Sequence, residues 1–151
     1  MKSVIIYAST HHGNTKKVAE RMAKKIGARV VDILEEGPPD ISDVKLVGLL
    51  SGVYFGKLHE SIVTFAREAA FTPDHRVFLA DTCGAGRKDY TYQVRKLLEE
   101  RGVAFLDRFQ CPGYDTYGPF GLIGGIRKGR PNEHDLKMAE QFVQRMQKMA
   151  K

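Results

Sequence analysis

Residues 3–15, SVIIYASTHHGNT, decide the fold. Val4 to Ala8 form a short apolar, β-branched run, and a polar turn follows at once and opens a helix, which is how a buried parallel strand delivers its chain to a crossover. The helix reads from Asn14 to about Ile26, with Val18, Ala19, Met22, Ala23 and Ile26 on one face and Gly27 as its stop. Lys16, Lys17, Lys24 and Lys25 fall on the opposite, solvated face.

Outward from this unit the alternation repeats almost to the chain's end. Further strands are predicted at Arg29 to Ile33, Lys45 to Leu50, Arg76 to Asp81 and Val103 to Gln110. Helices are predicted near Ser61 to Ala70 (Ile62, Phe65, Ala66 and Ala69 inward) and near Tyr90 to Arg101 (Val94, Leu97 and Leu98 inward, Gly102 closing). A last helix begins after Asn132 as cap, with Asp135 in its positively polarised first turn and Leu136, Ala139, Val143 and Met146 inward. In LEEGPPDISDV, Pro38 and Pro39 leave room for about one turn around Ile41 to Val44. The expected architecture is a doubly wound α/β sheet with helices on both faces, and 151 residues suit a single domain spanning 1–151.

Composition narrows the function classes. At 42% hydrophobic and 28% charged, with no apolar run long enough for a bilayer, the chain reads as a cytoplasmic globular protein without a membrane span. Its first residues are a strand, since the apolar stretch is too short for a signal peptide. Cys83 and Cys111 form neither a disulfide framework nor a metal set. A net charge of +6 and a pI near 9.4 favour phosphates and acidic proteins. The basic residues are spread over every helix, without the aromatic-interleaved stripe of a nucleic-acid binder.

Ligands of an open parallel sheet bind at the strands' carboxyl ends, where the strand order reverses. Three loops converge there: ASTHHGNT (8–15), SGVYFGKLH (51–59) and DTCGAGRKDY (81–90). In the first, Ser9, Thr10, Asn14 and Thr15 put hydroxyl and amide groups beside the open amides of a helix start, an anion cradle. Gly13 is not followed by the lysine of a nucleoside-triphosphate loop, so a monophosphate held by neutral donors fits better. His11 and His12 lack the companions of a metal site.

A strand ending in a Ser/Thr-rich turn, with GNT opening the first helix, resembles the FMN phosphate loop of flavodoxins, and the resemblance spans essentially the whole chain. It implies a five-stranded sheet of order 2-1-3-4-5, three layers, non-covalent FMN, and electron transfer between redox partner proteins. It places Ser9, Thr10, His11, His12, Gly13, Asn14 and Thr15 at the phosphate. Ser51, Gly52, Val53, Tyr54, Phe55 and Gly56 fall along the isoalloxazine ring, with an aromatic stacking and Gly56 allowing a peptide flip. Thr82, Cys83, Gly84, Ala85 and Gly86 would offer backbone amides to the ring's pyrimidine edge. Tyr90 either stacks or begins the helix. The chain departs from the family in having His12 where a threonine is usual, and in being basic where most flavodoxins are acidic.

The long connection from Gly113 to Pro131 is expected near the flavin edge, as a lid or docking surface or as a loop packed on its own aromatics. Tyr114, Tyr117 and Phe120 are its apolar candidates, and Arg127, Lys128 and Arg130 are those for an acidic partner. The segment SGVYFGKLH and this loop also resemble menaquinone-dependent protoporphyrinogen oxidase, which implies the alternative of an FMN-dependent oxidoreductase acting with a quinone. A phosphorylation-receiver domain fits poorly, since positions 9–15 hold no carboxylate.

Overall fold

A computed structural model describes residues 1–84, 88–113 and 128–151. The elements are β1 (Ser3–Ala8), α1 (Asn14–Ile26) after a 3-10 turn at His11–Gly13, β2 (Arg29–Asp32), α2 (Ile33–Glu36), β3 (Leu46–Tyr54), β4 (Lys57–Leu58) and α3 (Glu60–Glu68). They continue with β5 (Arg76–Cys83), α4 (Tyr92–Glu100), β6 (Ala104–Pro112) and α5 (Glu133–Ala150).

The sheet runs β2-β1-β3-β5-β6, with every pairing along that path parallel and β4 hanging antiparallel on β3. Counting the five long strands alone, this is the expected order 2-1-3-4-5. The chain steps from β1 out to β2 and returns to the far side of β1 as β3, so the reversal lies between β1 and β3.

Strand alternation sends side chains to two separate cores. Val4, Ile6, Val47, Leu49, Val77 and Leu79 meet Ile62, Phe65 and Ala66 of α3 and Val94 and Leu98 of α4. On the other face, Ile5, Leu50, Phe78 and Ala80 meet Val18, Ala19 and Met22 of α1 and Ala139, Phe142 and Met146 of α5. The three layers are set by this division. Gly48 leaves room for the Phe78 ring; a Cβ there would stand 2.4 Å from the ring carbon.

Several expectations shift for identifiable reasons. Ile33 starts the one-turn α2, where the Asp32 side chain accepts from the Leu34 N–H, so β2 ends one residue earlier. The turn at Ile41 to Val44 exists, closed by Val44 N–H to the Ile41 carbonyl at 3.1 Å, and buried His75 holds it through Nε2 to the Ile41 oxygen at 2.9 Å. β3 continues past Leu50 to Tyr54 because β4 folds back on it. α4 starts at Tyr92, after an Asp89–Thr91 turn. Ile26, Ala69, Leu97 and Leu136 are half-buried at the margins of the cores. Asn132 caps α5 in a reciprocal capping box with Asp135.

Candidate functional site

Three loops meet at the carboxyl edge of β1, β3 and β5. Thr10, just after β1, receives Tyr54 from the end of β3: the Tyr54 hydroxyl accepts from the Thr10 N–H at 3.2 Å and shares a hydrogen bond with its hydroxyl at 2.7 Å. Thr15, in the first turn of α1, shares a 2.9 Å hydrogen bond with Thr82 near the end of β5. Both hydroxyls are buried, so Thr15 and Thr82 join loop to loop. After β6, Gly113 N–H donates to the Cys83 carbonyl at 3.0 Å, and a Cβ on Gly113 would stand 2.6 Å from the Asn14 Nδ2. A side chain at Gly113 would have to displace that of Asn14.

The start of α1 has an unusual local backbone. His12 (φ 59°) and Gly13 (φ 64°) both lie in the left-handed region, and Gly13 as N-cap supplies no side-chain acceptor. The Lys16 N–H reaches Ser9 Oγ at 3.4 Å, and the first turn contains no acidic residue. The positive end of the α1 dipole and the Ser9 hydroxyl at its first turn, with no acidic residue beside them, suit an anion.

Phe55 and Gly56 form the two-residue turn between β3 and β4, with Val53 opposite Leu58 and Tyr54 opposite Lys57. Both turn residues have positive φ, 52° and 77°. Such a turn favours Asn-Gly, and a bulky aromatic in its first place is a backbone outlier. Phe55 is also 86% exposed. Of the two aromatics, Tyr54 is thus the half-buried strut and Phe55 the projecting ring.

The hairpin's base is pinned by Ser51, whose hydroxyl donates to the Gly52 carbonyl at 2.6 Å and accepts from the His59 N–H at 2.8 Å. His59 caps α3 by accepting from the Ser61 N–H at 3.0 Å, and its ring meets Tyr54 edge-on at 5.2 Å. Ser51 is a buried brace, and His59 is a supporting residue that the sequence reading missed; a histidine before Glu60-Ser61 is its only signal.

Behind the third loop lies Asp81, also missed. It is 1% exposed, its Oδ2 accepts from the Gln110 amide at 3.0 Å, and burial pushes its carboxyl up to about 7. Cys83 is buried at the strand end, and Cys111 lies on the neighbouring strand with its thiol pushed well up by burial. Tyr90 packs half-buried against the α3–α4 core just before α4, and its phenol is raised first by burial and then by Cys83 and Asp81. Gly84 is described as a bend after β5, while Ala85 and Gly86 lie outside the described residues, as do Tyr114, Tyr117, Phe120 and Arg127. Lys128 is exposed, but Arg130 is engaged: its guanidinium donates twice to Asp135, at 2.6 and 2.7 Å, and anchors the start of α5. Among the described residues, no group of histidine, cysteine and carboxylate side chains could hold a metal ion.

The sheet order, the layers and a ligand edge at the β1/β3 reversal define a flavodoxin-like α/β fold. Residues 4–120 match the family model of the flavodoxin domain. The chain belongs to the flavodoxin family, and this places it among the flavin-binding electron-transfer proteins. It is 38% identical over 145 residues to an uncharacterized protein of Methanocaldococcus jannaschii, covering 95% of this chain and 96% of that one. An archaeal flavodoxin superposes with a TM-score of 0.70 at 15% identity over 99% of both chains. Oxidised flavodoxin 2 of Bacillus cereus does so with a TM-score of 0.72 at 16% identity, also over 99% of both. Among the described residues, no helix is long and apolar enough to cross a membrane.

Proposed function

We propose that the chain, as a single domain in the cytoplasm, binds FMN non-covalently at the carboxyl edge of β1, β3 and β5 and carries electrons between redox partner proteins. The observation that carries this reading is the start of α1 beside Ser9 and Thr10, where the N-cap Gly13 makes no side-chain cap bond and the first turn holds no carboxylate. A phosphate monoester fits that donor set: neutral hydroxyls and amides meet its charge at a helix N-terminus. In this reading residues 9–15 hold the phosphate, with Thr15 acting through its bond to Thr82. Residues 51–56 face the ring, Phe55 stacking on it, Tyr54 fixing the hairpin to the phosphate loop, and Ser51 bracing the hairpin from below. Residues 82–86 lie along the ring's polar edge.

Bound there, FMN supplies reversible one- and two-electron chemistry, and the residues around it need no acid, base or nucleophile. Phe55 excludes water from one ring face and Gly56 permits a peptide reorientation beside it. The charge of +6 supports acidic partners, since opposite charge speeds encounter.

Stepwise anaerobic reduction of the FMN-loaded protein, followed by absorbance, tests the carrier assignment. Two resolved one-electron steps are expected of a carrier. A single two-electron step, together with turnover of a quinone or a porphyrinogen, would replace it with the oxidoreductase reading.

A further inference from the structure

The stretch from Lys88 to Thr91, which leads out of the third loop into α4, is held from its outer and its inner side. On its outer side Asp89 accepts from the Thr91 N–H at 3.0 Å and its hydroxyl at 2.6 Å, and it pairs with the Arg95 guanidinium. On its inner side Gln110 reaches it, beside the packing of Tyr90 on the core. Gln110 Nε2 donates one proton to Asp81 Oδ2 at 3.0 Å and the other to the Lys88 carbonyl at 2.9 Å. Asp81 is 1% exposed, and among the described residues its Oδ1 has no hydrogen-bond partner.

We propose that Asp81 is a proton-sensitive positioning residue: through Gln110 it fixes the Lys88 carbonyl, and its charge sets how firmly the third loop is held against a bound flavin. The consequence for flavin rests on the FMN reading above; the brace itself does not. A charged carboxylate makes a charge-assisted bond to the Gln110 amide, shorter and about twice as strong as the bond to a neutral carboxyl. Gaining a proton on Oδ1 leaves Oδ2 as a weaker acceptor, and the grip on Lys88 slackens with it.

The surroundings make both states accessible near neutrality. Burial opposes the charge most strongly, Gln110 and Arg108 on β6 favour it, and Asp89 opposes it. On β3 the register partner is Ser51, whose hydroxyl is engaged with Gly52 and His59. The thiol of Cys111 and the phenol of Tyr90 are themselves raised and stay neutral across this range. Cys83 lies two residues further along Asp81's own strand, and Lys88 is reached by the same Gln110 nitrogen.

The test is amide hydrogen exchange of residues 88–91 in the flavin-free full chain from pH 5.5 to 8.5, corrected for the intrinsic rate, with FMN affinity measured at both ends. Protection is expected to rise roughly fivefold through a midpoint near 7, and the FMN dissociation constant to fall by about the same factor. Asp81→Asn, which keeps the acceptor but cannot charge, should stay at the low-pH value throughout, and Gln110→Leu should be less protected at every pH. A flat wild-type profile, or a step that survives in Asp81→Asn, overturns the proposal. A normal exchange step in a protein that takes up no FMN would instead overturn the flavin reading and leave the brace standing.

Discussion

The Tyr54 hydroxyl lies 2.7 Å from the Thr10 hydroxyl and 3.2 Å from the Thr10 nitrogen, so the end of β3 is fastened to the loop after β1 by one phenol. A carboxyl edge built from separate loops has no rigidity of its own, and this pair makes two of them one unit. Tyr54→Phe removes both bonds while keeping the ring edge-on to His59. The expected cost is about 1 kcal/mol of stability, with FMN binding weakened roughly fivefold. Urea unfolding and a flavin titration read the two effects.

Phe55 has positive φ in a turn that suits asparagine. Phe55→Asn is expected to stabilise the flavin-free protein by about 0.5–1 kcal/mol, because asparagine tolerates the left-handed region far better. The same change removes the projecting ring and should weaken FMN binding roughly fivefold. Opposite signs in thermal unfolding and in ligand affinity would mark Phe55 as a residue kept for binding at a cost in strain.

The Asp81 carboxyl titrates higher when folded, at about 7, than in an unfolded chain, at about 3.9. Between these values the folded state binds the extra proton. The stabilising contribution is therefore complete below about pH 4 and is lost as the pH rises through about 7, with a slope on the order of 1.4 kcal/mol per pH unit. Asp81→Asn lacks this slope. Chemical denaturation from pH 4 to 8 should find the variant gaining on the wild type throughout that window and no further above it.

Arg130 is held by two short bonds to Asp135 at the start of α5. Arg130→Met is expected to lower stability by about 1 kcal/mol, less so at high salt, and to leave association with an acidic redox partner unchanged. Stopped-flow association rates at two ionic strengths separate this anchoring role from a docking role.

Unbroken apolar runs made β1, β3 and β5 legible, because both faces of a parallel sheet are buried, and a 3.6-residue apolar period did the same for α1 and α5, while the strand order came from the resemblance to flavodoxins. The α5 cap was equally plain, since Asn132 and Asp135 act within one turn. The β3–β4 hairpin was not, because its turn pair, Phe55-Gly56, violates turn preference in its first residue. Thr15 read as one of the polar groups at the start of α1, and its bond to Thr82, 67 residues away, is a contact that local pattern does not encode. Asp81 and Gln110 escaped notice for the same reason: each is an unremarkable polar residue at a strand end until the β5–β6 register sets them side by side.

The central claim is that the start of α1 holds the phosphate of FMN. The most direct measurement is fluorescence quenching of FMN and of riboflavin, each titrated with the flavin-free protein. The account predicts saturable one-to-one quenching of FMN and binding of riboflavin weaker by roughly a hundredfold, because riboflavin leaves the amides and hydroxyls at residues 9–16 without an anion. Equal affinity for the two flavins, or no quenching of either, would contradict it.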